Sequence, residues 1–175
     1  GIPDNILYPS FSNFNHHIMK YSHNPQDLGI SKKDIKWLNL LFTEKIFKVH
    51  NLRFQIFPMD YEEMERSGYD YLELSKKQKE RFPTDYPLIN VHIETNTDLS
   101  PKSVEESFKQ ANEFFNTYYP EFKYTHFICR TWILHPSLDL LLDKNTNLVQ
   151  FKNRFDVIAT SENYIQALER IYGTA

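Results

Sequence analysis

The chain has 175 residues, enough for one domain with a core of its own, or one domain plus an extension. Its 20 Lys+Arg against 23 Asp+Glu leave a formal net charge of −3, so it lacks the basic footprint of a nucleic-acid-binding protein. Cys129 is the single cysteine, which excludes an internal disulfide and fits a reducing, cytoplasmic setting. No apolar run approaches the ~18 residues that a spanning helix needs, so no membrane partner is expected. Gly1-Ile-Pro-Asp4 has neither the basic region nor the apolar core of a secretory signal. The 14 Phe, 11 Tyr and 2 Trp predict an aromatic-rich core.

Residues 1–30 mix Pro, Asn, Ser, His and aromatics without a sustained period, with a turn at Tyr21-Ser-His-Asn-Pro25. They are expected to be an N-terminal extension wrapping the main body, or the remnant of a preceding part. The main domain then covers residues 31–175. Ser31-Lys-Lys-Asp34 has capping-box spacing and opens a helix whose apolar stripe is Ile35, Leu38, Phe42 and Ile46, widened by Trp37 and Leu41. Ile46-Phe-Lys-Val49 and Leu52-Arg-Phe-Gln-Ile-Phe57 read as a hairpin around His50-Asn51. Asp60 to Arg66 is a short acidic helical stretch. Ser75 to Arg81 is a short polar helix or loop, its lysines Lys76, Lys77 and Lys79 forming a solvated face.

Leu88-Ile-Asn-Val-His-Ile-Glu94 alternates with period two, putting Ile89, Val91 and Ile93 on one face and Asn90, His92 and Glu94 on the other. Ser100 as N-cap and Pro101 at the first position start a long helix with a stripe of Val104, Phe108, Ala111, Phe115 and Tyr118, ended by Pro120. Tyr124 to Trp132 reads as a strand, Pro136 to Leu142 as a short helix and Asn147 to Ile158 as a long strand. Glu162 to Tyr172 is a last helix with Gly173 as its C-cap. The order of elements predicts a mixed α/β domain.

The polar face of the Leu88–Glu94 strand is the first candidate site. His92 with the Glu94 carboxylate nearby can act as a general base toward an amine, with Asn90 beside it; equally, this face could pack under a helix with His92 hydrogen-bonded. Cys129 could be a nucleophile if His126 or His135 activated it, or a small hydrophobe within a strand. Trp132 could wall a substrate cleft or pack in the core. Arg130 and Arg154 could clamp a phosphate or carboxylate, or pair with surface acids. His16, His17 and His23 lack a recognised metal-ligand spacing, and no metal is expected.

Three stretches resemble one family. They are Ile46-Phe-Lys-Val-His-Asn-Leu-Arg-Phe-Gln55; Val91-His-Ile-Glu94 followed by Leu99-Ser-Pro101; and Cys129-Arg-Thr-Trp-Ile-Leu-His-Pro-Ser-Leu138 with Asn147 to Phe155. Together they resemble bacterial acyltransferase-like proteins whose C-terminal domain is related to the GNAT superfamily of N-acyltransferases. The resemblance implies a twisted mixed, mainly antiparallel sheet flanked by helices, and a domain truncated at its C-terminus. It also implies transfer of an acyl group from an acyl-CoA such as acetyl-CoA to an amine or similar nucleophile. His92 or Glu94 would then take the proton, one of the 11 Tyr would protonate the leaving thiolate, and Asn90, Arg130, Trp132 and Arg154 would contact substrate.

GNAT enzymes cradle the CoA diphosphate on a Gly-rich turn at a helix N-terminus. Here Gly1, Gly29, Gly68 and Gly173 stand apart, and Pro101 removes an N–H from the helix that would carry the cradle. The alternatives are therefore a non-catalytic GNAT-like module binding a ligand or partner, and a structural domain of a larger protein.

Overall fold

In the computed structural model the described residues are 1–12, 14, 32–62, 76–158 and 168. Their elements are α1 (Asp4–Ser10), α2 (Lys32–Phe42), β1 (Ile46–Val49), β2 (Leu52–Pro58), α3 (Lys76–Arg81), β3 (Pro87–His92), α4 (Pro101–Tyr118), β4 (His126–Cys129), α5 (Leu138–Leu141) and α6 (Asn147–Lys152), with a 3₁₀ turn at Trp132–Leu134. The strands form one mixed sheet in the order β1-β2-β3-β4. β1–β2 and β2–β3 are antiparallel, while β3–β4 is parallel and joined through α4. This is the mixed, mainly antiparallel, helix-flanked sheet that the sequence predicts. No helix among the described residues is long and apolar enough to cross a membrane.

Alternation along the strands gives the sheet two different faces. Phe47, Val49, Leu52, Phe54, Ile89 and Val91 point to one side and share the main core with Val104, Ala111, Phe114 and Phe115 of α4. Edge-to-face pairs such as Phe47–Phe115 and Phe108–Phe127 fill it, as the aromatic composition implies. The other side carries Lys48, Arg53, Gln55, Asn90 and His92. It is covered near β1 by α2, whose Leu38 and Leu41 pack on Ile46. Beyond Gln55 and Asn90, toward the start of β3, the cluster of Phe57, Met59, Phe82 and Leu88 takes over. The helical stripe of α2 is therefore rotated from the one predicted: Leu38 and Leu41 are buried, but Ile35 and Phe42 are exposed.

The hairpin forms as predicted, with Val49 opposite Leu52 and His50 at φ 54° in the turn. α4 starts and stops where Ser100, Pro101 and Pro120 place it. The strand predicted for Tyr124 to Trp132 shortens to β4, because the chain bends at Thr131, whose hydroxyl accepts the Ile133 N–H of the 3₁₀ turn. The strand predicted for Asn147 to Ile158 is a helix over its first half. Thr146 caps α6 by accepting the Val149 N–H, and Val149, Phe151 and Lys152 are buried. Val149, Phe151 and Phe155 alternate as on a strand face, while Leu148, Phe151 and Phe155 recur at the i, i+3, i+7 spacing of one helical face, and the cap decides between them. The N-terminal capping box at Ser31, the end of the acidic stretch after Glu62, and the helix from Glu162 lie outside the described residues.

α2 ends in a Schellman motif: Lys45 N–H donates to Leu40 O at 2.8 Å and Glu44 N–H to Leu41 O at 3.2 Å. This puts Glu44 at φ 53°, where glycine is the favoured residue. Its side chain is exposed, so nothing packed is lost on removing it. Glu44→Gly should raise stability by about 1 kcal/mol, read as a gain of about 2–4 °C in melting temperature. An unchanged or lower melting temperature would show that the turn carries no strain.

Candidate functional site

The site lies at the C-terminal end of β3, on the polar face of the sheet. Antiparallel register puts Arg53 opposite His92 and Gln55 opposite Asn90. Parallel pairing puts Cys129 beside Val91, so Arg130 follows at the same end of the sheet. The sequence names His92, Asn90 and Glu94; the structure sets Asn90 against His92 but turns Glu94 to Arg53 and Lys48. It adds Arg53, Gln55 and Trp37, which the sequence reading does not single out. Their signal is present in β2: in Leu52-Arg-Phe-Gln-Ile-Phe57 the two polar residues share the face opposite Leu52 and Phe54.

Arg53 is fully buried. Its Nε donates to Glu94 Oε1 at 2.7 Å, and its Nη1 to the carbonyl of Ser10 at 2.7 Å. That carbonyl ends α1, so the cation meets a helix C-terminus whose last carbonyls lack partners within the helix. Glu94 also takes Lys48 Nζ at 2.7 Å. Burial alone would raise the Glu94 carboxyl, but the hydrogen bonds from Lys48 and Arg53 outweigh it and hold the group below its usual 4.5. A carboxylate held by two cations is a structural anion and a poor proton acceptor.

His92 is half-buried under the indole of Trp37, whose ring meets it edge-to-face at 5.1 Å. Its Nε2 lies 2.7 Å from Gln55 Oε1 and 3.1 Å from Asn90 Nδ2. Asn90 Nδ2 donates to the same Gln55 oxygen at 3.2 Å, and Asn90 Oδ1 is buried with no hydrogen-bond partner among the described residues. Burial, and then the positive charges of Arg130 and Arg53, push His92 down to about 3 from 6.5. The imidazole is therefore neutral throughout the physiological range.

The remaining candidates are dispersed. Arg130 stacks its guanidinium 5.0 Å from the Phe57 ring centroid. Arg154 falls in the turn after α6, because the predicted strand is a helix. There its Nη1 donates to Glu105 at 2.7 Å and its Nη2 to the Pro101 carbonyl at 3.3 Å. Trp132 lies in the 3₁₀ turn and packs against the main core. Cys129 is paired with Val91, and burial, opposed by Arg130, pushes its thiol up to about 12, so it is an inert core group. His16, His17 and His23 lie outside the described residues. Among those described, no group of side chains is arranged to hold a metal.

The start of α4 is already engaged. Asp98 accepts the Ser100 N–H at 2.8 Å and its hydroxyl at 3.0 Å, and these bonds hold its carboxyl below the ordinary value. The hairpin turn docks on the same end of the helix, with Asn51 Nδ2 donating to Ser103 and Asn51 N–H to Ser107 at 3.2 Å. A carboxylate, a proline at the first position and a docked turn do not fit a diphosphate cradle.

The fold, rather than these site features, agrees with what the chain is similar to. It matches the GNAT-like C-terminal domain family over residues 46–175, and it belongs to that family. A search among curated proteins finds no match. Among solved structures, an acyltransferase in complex with decanoyl-CoA and teicoplanin has a TM-score of 0.74 at 17% identity, covering 100% of this chain and 49% of that one. An acyltransferase in complex with CoA and 10C-teicoplanin has a TM-score of 0.74 at 16% identity, with the same coverage of 100% and 49%. At this identity the likeness shows a shared fold, and the chain spans about half the length of the structures it matches.

Two outcomes follow from the site. Glu94→Ala should cost about 3 kcal/mol in urea melts, because it strands the buried Arg53 cation. The Glu94 contribution is full above pH 4.5 and is lost as pH falls through its lowered native value, so Glu94→Gln should flatten the acid limb of stability below 4.5. Equal acid limbs in both proteins would show that the ion pair carries no net stability. For His92, ring-proton NMR shifts should stay flat from pH 8 down past pH 5; a titration centred near 6.5 would show that the ring is solvated and unpaired.

Proposed function

We propose that this chain is part of an acyltransferase in which a neutral His92 accepts a proton from an amine or similar nucleophile as it attacks an acyl thioester. The observation that carries this reading is a neutral, half-buried histidine at the C-terminal end of β3, where β3 pairs in parallel with β4 in a GNAT-related sheet. Membership of the GNAT-like family and the shared fold with acyltransferases holding CoA or decanoyl-CoA support the chemistry.

Proton acceptance by His92 is favoured over acceptance by Glu94, which is tied to Lys48 and Arg53. As the nucleophile attacks, its proton passes to the imidazole, the new bond forms at the acyl carbon, and the thiolate leaves. Arg130 stands beside this end of the strand as a candidate substrate contact, while Asn90 is buried against Gln55 and His92 and is assigned to holding them. Trp132 and Arg154 are assigned to packing and to α4 respectively. We assign the donor's diphosphate no position on the first turn of α4, which is occupied by Asp98 and the hairpin. That departure favours a second reading, a GNAT-like module that binds a ligand or partner without catalysis.

Calorimetric titration with CoA, acetyl-CoA and decanoyl-CoA, followed by thioester-release assays with amine acceptors, separates the two. Micromolar binding with transfer lowered ~10²–10⁴-fold in His92→Ala supports the enzyme. The rate should show no acid limb near pH 6.5, since His92 is neutral there. Absence of both heat and transfer would leave the binding module.

A further inference from the structure

Three neutral polar side chains meet on the covered face of the sheet: Gln55 from β2, and Asn90 and His92 from β3. Gln55 stands opposite Asn90 and diagonal to His92, so its amide can reach both. The short 2.7 Å approach of His92 Nε2 to Gln55 Oε1 needs a proton between the two atoms, since two lone pairs at that distance would repel. Asn90 Nδ2, 3.2 Å away, donates to the same oxygen, which agrees with an acceptor at that position.

We propose that Gln55 is a positioning residue: its side-chain carbonyl fixes His92 as the Nε2–H tautomer and so makes Nδ1 the nitrogen that takes the proton. This role rests on the proposed function of His92 as a base, but the tautomer itself does not. Nδ1 has no hydrogen bond to any described residue, so it is the nitrogen available to a substrate. When Nδ1 takes a proton, both ring nitrogens become donors, and Nε2–H keeps its bond to Gln55. The Gln55 carbonyl is then a neutral acceptor facing an imidazolium that has Arg53 opposite it, Arg130 at the same strand end and Glu94 two residues on. Asn90 holds the carbonyl in this orientation from the other side.

The arrangement has one self-consistent rival. If both amides are turned round, the Gln55 NH₂ donates to an Nε2 lone pair and to Asn90 Oδ1, and the proton moves to Nδ1. Long-range ¹H–¹⁵N correlation of the imidazoles in the ¹⁵N-labelled chain at neutral pH decides between them. The expected result is a protonated-type Nε2 and an unprotonated-type Nδ1 for His92. In Gln55→Leu the two nitrogen shifts should draw together as the tautomers mix; in Gln55→Glu, which keeps the acceptor, they should stay apart. A protonated-type Nδ1 in the unaltered protein would overturn the proposal, as would an unchanged pattern in a folded Gln55→Leu.

In the thioester assay, Gln55→Leu should lower kcat ~10-fold with KM unchanged, and Gln55→Glu should restore part of it. A different result marks failure of the base reading itself. There, His92→Ala would leave transfer untouched while the Nε2–H signature persisted, removing the catalytic role of Gln55 and leaving its structural one.

Discussion

The buried guanidinium of Arg53 is the constraint around which this half of the molecule is arranged. A cation with no solvent contact must have each of its donors met, or the desolvation it suffers goes uncompensated. Its partners come from three separate segments: Glu94 just past β3, the carbonyls at the end of α1, and the face of Trp37 on α2 at 6.0 Å. Satisfying this one side chain therefore sets where α1 crosses the edge strand and how the end of β3 is held. It also helps seat α2 on the polar face. α1 completes the job at the edge, where Ser10 accepts the Lys48 N–H and Ile6 enters the main core.

Putting a fixed ion pair beside His92 has a chemical consequence. Glu94 is drawn away from the ring and toward Lys48 and Arg53, so the imidazole is left with a neutral partner, Gln55, and with two cations near it. Both effects keep it uncharged. In the role proposed for it, a neutral imidazole under an indole suits the removal of a proton from an incoming nucleophile, at the cost of low basicity. The polar face of the sheet is thus more than a solvated surface, and the neutral cluster of Gln55, Asn90 and His92 is its organising feature.

Much of this was legible in the chain. Period-two alternation in β3 showed which of its residues face the core, and Ser100, Pro101 and Pro120 marked the ends of α4. Other elements were not. Asn147 to Ile158 satisfied a strand pattern and a helix pattern at once, and the Thr146 cap, a local hydrogen bond, chose the helix. That choice moved Arg154 from a sheet face to the start of α4. Of the stripe read on α2, Leu38 and Leu41 are buried against Ile46, while Ile35 and Phe42 fall outside that contact and are exposed. Family membership was likewise readable from the stretches around Ile46, Val91 and Cys129.

The sequence by itself determined the alternating strands, the long helix between β3 and β4, the family, and the presence of Asn90 and His92 on one strand face; Glu94, expected on that face, lies just past the end of β3. These are local properties, carried by side-chain periodicity and by residues that restrict the backbone where they stand. Only the tertiary structure decided that Glu94 belongs to Arg53 and Lys48, that Gln55 belongs to His92, and that Asp98 and the hairpin turn take the first turn of α4. Apart from the Asp98 bonds to Ser100 two positions on, those are contacts between residues 35 to 56 positions apart, such as Gln55 with Asn90 and Asn51 with Ser107. Nothing in local propensity encodes them; strand register and helix docking bring the partners together, and burial then forces each polar group to find one.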